Sequence, residues 1–287
     1  MRISRDSILK TRTVRFEAGS PSPREDRVAV EEPLEIRVGK ETVAVTMRTP
    51  GHDFDLAAGW LLAEGIVTRP DEIVRFEHCR EVRSPEEEGN VVIVRASAPA
   101  AAVGRARRML VTTSSCGLCG KGSIESVHAD FPPVTSSVPV AASVLAGLPD
   151  SLRAAQSAFA ETGGLHAAGI FAPDGALLAA REDVGRHNAV DKVIGHLFRE
   201  GRLPLDDAIL LVSGRASFEI VQKAVAARIP VIAAVSAPSS LAVELARDSN
   251  VTLVGFLRGG TFNCYSGEER LLPAASARSA REGPSPA

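Results

Sequence analysis

The stretch Ala208-Ile209-Leu210-Leu211-Val212-Ser213-Gly214-Arg215 opens the part of the chain that decides the fold. An apolar run ends there in small, polar and basic residues, and the same pattern returns at 231–239 and at 251–260. Stretches with helical periodicity, at 218–228 and 240–247, separate the three apolar runs. Apolar strands that alternate with helices are typical of a parallel sheet buried on both faces. The last third of the chain is therefore predicted to be α/β.

The ends of the three predicted strands form the first candidate site. They read Ser213-Gly214-Arg215, Ser236-Ala237-Pro238-Ser239 and Gly255-Phe256-Leu257-Arg258-Gly259-Gly260. Ligands of open α/β sheets bind beyond the carboxyl ends of the strands, and helix N-termini favour anions. Arg215 and Arg258 can each hold a phosphate through two parallel hydrogen bonds. We expect an anionic, nucleotide-like ligand here, against the alternative of ordinary turns with surface arginines.

Upstream of this segment, alternating and helical patterns predict the remaining elements. They are a hairpin over 34–47, a helix over 53–64, strands at 73–76 and 91–94, helices at 141–146 and 150–162, a hairpin over 168–180 and a helix over 190–198. A smaller α+β unit is thus expected before the α/β unit. The predicted divisions are an irregular N-terminal extension over 1–27, an α+β domain over 28–105, an α/β domain with the cysteine pair over 106–272, and a disordered tail over 273–287.

Composition excludes several classes of protein. The 287 residues carry a net charge of −2, which gives no general attraction to nucleic acid or to anionic membranes. No apolar run approaches the roughly 20 residues that span a bilayer, and the charged N-terminus lacks the apolar stretch of a signal peptide. A soluble, cytoplasmic protein that binds neither nucleic acid nor membrane is expected. Four cysteines in this length do not indicate a disulfide framework.

The cysteine pair in Ser115-Cys116-Gly117-Leu118-Cys119-Gly120 is the main chemical motif. Lys121 and a helix predicted just downstream favour the reactive thiolate, and the glycines let a sulfur atom move between donor and acceptor. Zinc is the alternative, although no second Cys-x-x-Cys supplies the two further ligands of a structural site. A zinc nucleobase deaminase is disfavoured, because His166-Ala167-Ala168 has alanine where the catalytic glutamate would stand. His166 itself suits a metal ligand, a base or a structural role.

A second polar cluster lies at 181–188, before the predicted helix. Asp183, Arg186 and His187 bring together a carboxylate, a guanidinium and an imidazole, a set that suits ligand orientation or acid–base chemistry. The alternative is a helix N-terminus that is capped by Asn188 and carries exposed charges. The local sequence supports both interpretations equally.

Taken together, these motifs resemble the FdhD/NarQ family, the formate dehydrogenase accessory sulfurtransferases. The resemblance extends from Glu31 to Leu272. It rests on five motifs in one order, Ser115-Cys116-Gly117-Leu118-Cys119-Gly120, Thr162-Gly163-Gly164-Leu165-His166, Glu182-Asp183-Val184-Gly185-Arg186-His187-Asn188-Ala189-Val190-Asp191-Lys192, Ser213-Gly214-Arg215 and Gly255-Phe256-Leu257-Arg258. Such a series is far more specific than the cysteine pair alone.

The resemblance implies a sulfur carrier. A cysteine desulfurase would load sulfur as a persulfide on Cys116, and Cys119 would be the relay or resolving thiol. The sulfur would pass to molybdenum bis(molybdopterin guanine dinucleotide), the bound substrate, before that cofactor enters the catalytic subunit of formate dehydrogenase. A homodimer, a cytidine-deaminase-like α/β domain, no metal ligands and no permanently bound cofactor are also implied.

The expected binding residues of this substrate combine the family's C-terminal stretch with the two polar clusters. They are Phe256, Leu257, Arg258, Gly259, Gly260, Thr261, Ser213, Gly214, Arg215, His187, Arg186 and Asp183. The alternative function is a chaperone that binds the molybdenum cofactor without catalysis and holds a structural zinc on its cysteines.

Overall fold

A computed structural model describes residues 6–81, 84–97, 103–104 and 131–273 of the chain. Cys116 and Cys119 lie outside the described residues, as does the predicted tail apart from residue 273. The fold of the described part is mixed α/β, as predicted, and its elements are numbered below in chain order.

The N-terminal extension forms a β-hairpin, so the prediction of an irregular segment over 1–27 is wrong for its described part. Strands β1 (Ile8–Glu17) and β2 (Ser20–Ala29) pair antiparallel, and the turn between them has positive φ at Ala18 and Gly19. Strand β2 contains Pro21 and Pro23, residues that disfavour a strand because proline has no backbone N–H to donate. Both strands are edges of a two-stranded sheet, and an edge strand tolerates proline at positions whose nitrogen faces away from the paired strand.

The predicted α+β elements are confirmed. Strands β3 (Glu32–Val38), β4 (Glu41–Arg48), β5 (Ile73–His78) and β6 (Val91–Ala96) form one sheet in the order β4-β3-β6-β5, and helix α1 (Asp53–Ala63) follows β4. Apolar residues of β3 and β6 alternate with partly exposed ones, which directs one face of the sheet into the core.

The second part of the chain contains the larger sheet. The strands of this part of the chain are β7 (Val140–Ala141), β8 (His166–Phe171), β9 (Leu177–Asp183), β10 (Ile209–Val212), β11 (Val231–Ala234), β12 (Thr252–Arg258), β13 (Thr261–Ser266) and β14 (Leu271–Leu272). Its helices are α2 (Ala142–Ala155), α3 (Ser157–Thr162), α4 (Arg186–Arg199), α5 (Phe218–Ala226) and α6 (Ser240–Asp248).

Six of these strands form a sheet in the order β13-β12-β11-β10-β8-β9, and β7 pairs with β14. Strands β10, β11 and β12 are parallel, which confirms the prediction from their apolar sequences. Every residue of β10 and β11 is buried, because helices cover both faces. The likeness of this unit to cytidine deaminase stays a prediction.

Three predicted boundaries differ from the structure. Helix α2 continues through Pro149 and ends before Gln156, because its buried leucines hold it on the sheet despite the missing N–H. Helix α4 begins at Arg186, four residues before the predicted start at 190. Strand β12 ends at Arg258, two residues beyond the strand predicted over 251–256, and a turn connects it to β13.

Two glycines bring α1 and α4 into backbone contact. A Cβ on Gly195 would lie 1.9 Å from the carbonyl oxygen of Asp55, and one on Gly59 would lie 2.0 Å from that of Asp191. Any larger side chain would therefore separate the helices. One hydrophobic cluster contains buried residues of both sheets. The predicted division of the chain into domains stays a prediction.

A buried carboxylate reinforces this helix contact. Asp55 accepts hydrogen bonds from Arg181 of β9 and from Arg199 of α4, and His52 Nδ1 lies 3.5 Å from its carboxylate. Burial alone would raise the pKa of Asp55, but the bonds from His52 and Arg199 and the charge of Arg181 lower it to about 2. The carboxylate is therefore ionised at neutral pH.

None of the helices in the described residues is long and apolar enough to cross a membrane.

Candidate ligand-binding site

The three predicted strand ends lie side by side. The backbone N–H of Ser236 donates to the carbonyl of Gly214 at 3.3 Å, and that of Phe256 donates to the carbonyl of Ser236 at 3.1 Å. The N–H of Ser239 donates to the carbonyl of Ala216 at 3.0 Å. The segments that follow β10 and β11 thus contact each other, and the last residues of β12 contact the segment after β11. We call this surface the strand-end crevice.

Strand direction brings the second polar cluster to the same edge. Strand β8 is antiparallel to β10, and β9 is antiparallel to β8, so the start of β8 and the end of β9 lie beside the end of β10. His166 pairs with Asp183 across these strands. The N–H of Ala167 donates to Ser213 Oγ at 2.9 Å. Residues predicted from three separate motifs are therefore neighbours.

Asp183 lies beneath the crevice with its carboxylate surrounded by donors. Its Oδ2 lies 2.7 Å from Lys192 Nζ and accepts from the N–H of Thr49 at 3.1 Å. Its Oδ1 accepts from the N–H of Gly185 at 2.8 Å and from Asn188 Nδ2 at 3.0 Å. Since Asp183 is 0% exposed, its carboxylate positions the start of α4 and ties it to the chain after β4.

Asn188 does not cap α4, contrary to the alternative that the sequence allowed. The helix begins after Gly185, and Asn188 donates back to the carbonyl of Met47 at 2.7 Å as well as to Asp183. The residues at the helix start are therefore held by the α+β part of the chain.

His187 faces the first turn of α5. Its Nε2 lies 3.0 Å from Ser217 Oγ and 3.1 Å from a carboxylate oxygen of Glu219. Burial, together with the charges of Lys223 and Arg186, lowers the pKa of His187 to about 3, so its imidazole is neutral at pH 7. Sequence analysis missed Ser217 and Glu219, although a serine before a helical pattern is a recognisable N-cap signal.

An ion pair lies behind His187, between α4 and α5. Lys223 donates to both oxygens of Asp191, at 2.7 and 2.9 Å. Burial raises the pKa of Asp191 to about 6, against the attraction of Lys223. The pair holds the two helices that carry His187 and its partners.

His166 and two arginines form the other side of the crevice. A Cβ on Gly214 would lie 3.5 Å from His166 Nδ1 and 3.8 Å from Cδ of Arg186, so this backbone passes close to both side chains. Burial, and then the charge of Arg186, lowers the pKa of His166, whereas Asp183 opposes the shift. Arg215 is exposed at the end of the turn.

The predicted C-terminal stretch forms the β12–β13 turn. Gly259 and Gly260 have φ of 58° and 76°, and Thr261 Oγ1 donates to the carbonyl of Arg258 at 3.1 Å. Phe256 is 36% exposed with φ of 55°, a left-handed conformation that is unusual for an aromatic residue. Leu257 is 0% exposed, so its side chain belongs to the core, and only its backbone is left for binding.

Metal ligands do not cluster in the part of the chain that the structure describes. No group of three or more histidine, cysteine, aspartate or glutamate side chains there is arranged to hold an ion. The arrangement of the strand-end crevice instead combines guanidinium groups, a neutral imidazole and open backbone, which suits an anionic ligand.

Comparison with known proteins gives a consistent result. A family model described as the FdhD/NarQ family matches residues 29–272. A protein of Nocardia farcinica named sulfur carrier protein FdhD is 53% identical over 268 residues, covering 91% of this chain and 94% of its own length. A protein of the same name from Streptomyces avermitilis is 50% identical over 278 residues, covering 93% and 97%.

A solved structure is also similar to this fold. It is a protein from Desulfotalea psychrophila provisionally described as a formate dehydrogenase accessory protein, with a TM-score of 0.73 and 24% identity. The match covers 93% of this chain and 100% of that one. The order of the elements described above is therefore shared along almost the whole length.

Proposed function

The chain belongs to the FdhD/NarQ family, as its motifs predicted, and from this premise we propose that it is a sulfur carrier in the maturation of formate dehydrogenase. The observation that carries the proposal is the identity of about half its residues with curated proteins named sulfur carrier protein FdhD. The Cys-Gly-Leu-Cys sequence at 116–119 supplies the thiols that carry the transferred sulfur in such a role.

The proposed loading step is a thiol–persulfide exchange. The thiolate of Cys116 attacks the outer sulfur of a persulfide on a cysteine desulfurase. A new sulfur–sulfur bond forms on Cys116, the old one breaks, and the donor cysteine leaves as a thiolate that takes up a proton. No external oxidant or reductant is needed, since the transferred sulfur keeps its oxidation state. Cys119 is the relay or resolving thiol.

The proposed substrate is molybdenum bis(molybdopterin guanine dinucleotide), which receives the sulfur. Its phosphates and guanine groups match a crevice that combines Arg186, Arg215 and Arg258 with the exposed ring of Phe256. Ser213, Gly214 and neutral His187 complete the proposed contacts. Asp183 contributes by holding the start of α4.

The proposed partners follow from this reaction. A cysteine desulfurase is the sulfur donor, and the catalytic subunit of formate dehydrogenase is the client. The chain acts as a homodimer in the cytoplasm, without nucleic acid or membrane. These assignments are proposals that accompany the family membership.

Intact mass measurement tests the sulfur chemistry. The full chain is incubated with a cysteine desulfurase and cysteine, as wild type and as Cys116→Ala and Cys119→Ala. A reductant-sensitive gain of about 32 Da, one sulfur atom, is expected in the wild type, lost in Cys116→Ala and partly kept in Cys119→Ala. Cys264→Ser is the matched control, because burial raises the pKa of the Cys264 thiol and makes its thiolate scarce.

Two outcomes would change the proposal. Loss of the gain in Cys119→Ala but not in Cys116→Ala would reverse the roles of the two thiols. No gain with an active desulfurase, together with one zinc ion per chain by elemental analysis, would favour the non-catalytic cofactor-binding chaperone.

A further inference from the structure

One corner of the strand-end crevice carries positive charge that the described protein groups leave uncompensated. Within the described ranges, Arg186 and Arg215 form no ion pair with a carboxylate. The nearby acids are already engaged, since Asp183 contacts Lys192 at 2.7 Å and Glu219 contacts His187 at 3.1 Å. The corner therefore presents two guanidinium groups to a ligand.

The environment of Arg186 points to a missing anion. Its Nε is buried and has no acceptor among the described residues. A buried donor without an acceptor is unfavourable, and a guanidinium binds oxyanions through two N–H groups at once. Arg186 is also the first residue of α4, a helix of 14 residues whose N-terminus adds positive potential. Because Nε is closed to solvent, a ligand reaches Arg186 at its outer nitrogens, where two N–H groups and the helix N-terminus favour a phosphate group.

His166 borders the same corner, and its charged neighbours come from three elements. Asp183 faces it from β9 and Arg186 from α4, His187 of α4 is electrostatically coupled to it, and Arg215, which follows Gly214 in the turn after β10, acts on His187. The backbone of Gly214 passes close to both His166 and Arg186, because a Cβ there would lie 3.5 Å from His166 Nδ1 and 3.8 Å from Arg186 Cδ. An anion in the corner would therefore lie beside the imidazole as well as the guanidinium groups.

We propose that His166, Arg186 and Arg215 form an oxyanion subsite for a phosphate group, and that His166 takes up one proton when the phosphate binds. The subsite deepens the proposed function, on which the identity of its biological ligand rests. Burial and the charge of Arg186 lower the pKa of His166 in the free protein. A bound oxyanion opposes the charge of Arg186 and raises that pKa, so binding consumes a proton and strengthens as pH falls.

Nuclear magnetic resonance of the histidine rings tests the subsite. The probe is sulfate, whose charge is constant between pH 6 and pH 8, and sodium chloride of equal ionic strength is the reference. The chain has six histidines, and His166→Gln identifies the signal of His166. We expect sulfate to raise the titration midpoint of His166 above its value in chloride. The dissociation constant of sulfate should be about threefold to tenfold lower at pH 6 than at pH 8.

Variants separate the subsite from general charge. Arg186→Gln should remove the effect of sulfate on His166, and Arg215→Gln should reduce it. Arg202→Gln is the matched control, since Arg202 lies beyond the other end of α4 and should leave the effect unchanged. Thermal unfolding of each variant checks its folding, and Arg186→Lys, which keeps the charge, provides a second test at that position.

Two results would overturn the proposal. One is an equal midpoint of His166 in sulfate and in chloride for the wild type. The other is an undiminished effect of sulfate in both Arg186→Gln and Arg215→Gln. The measurement involves no sulfur transfer, so failure of persulfide loading leaves its result standing, and failure of this test leaves the persulfide measurement standing.

Discussion

Replacing Asp183 with asparagine tests whether this residue positions the crevice. The carboxylate accepts from two donors at each oxygen, Lys192 and Thr49 at one and Gly185 and Asn188 at the other. An asparagine keeps one oxygen and replaces the second with an NH₂ group. Either orientation therefore places a donor against two other donors. In both orientations Lys192, whose ammonium is 1% exposed, also loses its counter-ion, because the amide is neutral.

The expected cost is large because both partners are buried. Removing one member of a buried ion pair typically costs about 3–5 kcal/mol of unfolding free energy. For a chain of this size, that loss corresponds to a fall in melting temperature on the order of 10 °C. Asp71→Asn is the matched control, since the Asp71 side chain is 72% exposed and its ion pair contributes at most about 1 kcal/mol.

Urea denaturation and thermal unfolding, monitored by circular dichroism, measure the change. Lys192→Met in the Asp183→Asn background should recover part of the loss, because it removes the unpaired buried charge. A loss below about 1 kcal/mol in Asp183→Asn, or no recovery in the double variant, would refute the reasoning that this ion pair holds the start of α4.

The remaining predictions concern packing, pH and backbone strain. Gly195→Ala should cost at least about 1–3 kcal/mol in urea denaturation because its Cβ would overlap α1, whereas Gly147→Ala, with open space around it, should be neutral or stabilising. The depressed pKa of Asp55 contributes stability that is present above pH 3.8 and lost as pH falls through about 2. In Asp55→Asn the unfolding free energy should therefore fall less between pH 4 and pH 2 than in the wild type, by about 2 kcal/mol. Phe256→Gly should be more stable than Phe256→Ala by about 1 kcal/mol in the same assay, because glycine adopts φ of 55° without strain; equal stabilities would argue against strain there.

Patterns of neighbouring residues predicted the central sheet well. The apolar runs at 209–212 and 231–234 need burial on both faces, and only a covered parallel sheet provides it. Their small, polar ends predicted an edge where segments meet, and the hydrogen bond from Ser236 to Gly214 confirms that contact. The hairpin of β3 and β4 and helix α1 followed from periodicities of 2 and 3.6 in the same way.

Contacts between distant segments were not predictable in this way. Asp183 and His187 look alike as polar residues before a helix, yet the first is buried under donors and the second lies at the crevice. Leu257 sits within the stretch expected to bind the substrate but packs in the core, because alternate residues of a strand point to opposite faces. The register of β12 against its neighbours decides which face is buried.

The sequence by itself determined the family, the α/β class and the presence of a Cys-x-x-Cys pair, because those depend on residue types and their spacing. The tertiary structure decided which polar residues face a ligand and which hold the fold. The partners of Asp183 illustrate the reason, since Thr49 lies 134 residues away along the chain. Whether a buried carboxylate binds a ligand or a neighbouring lysine depends on what folding brings to it, and local sequence does not encode that.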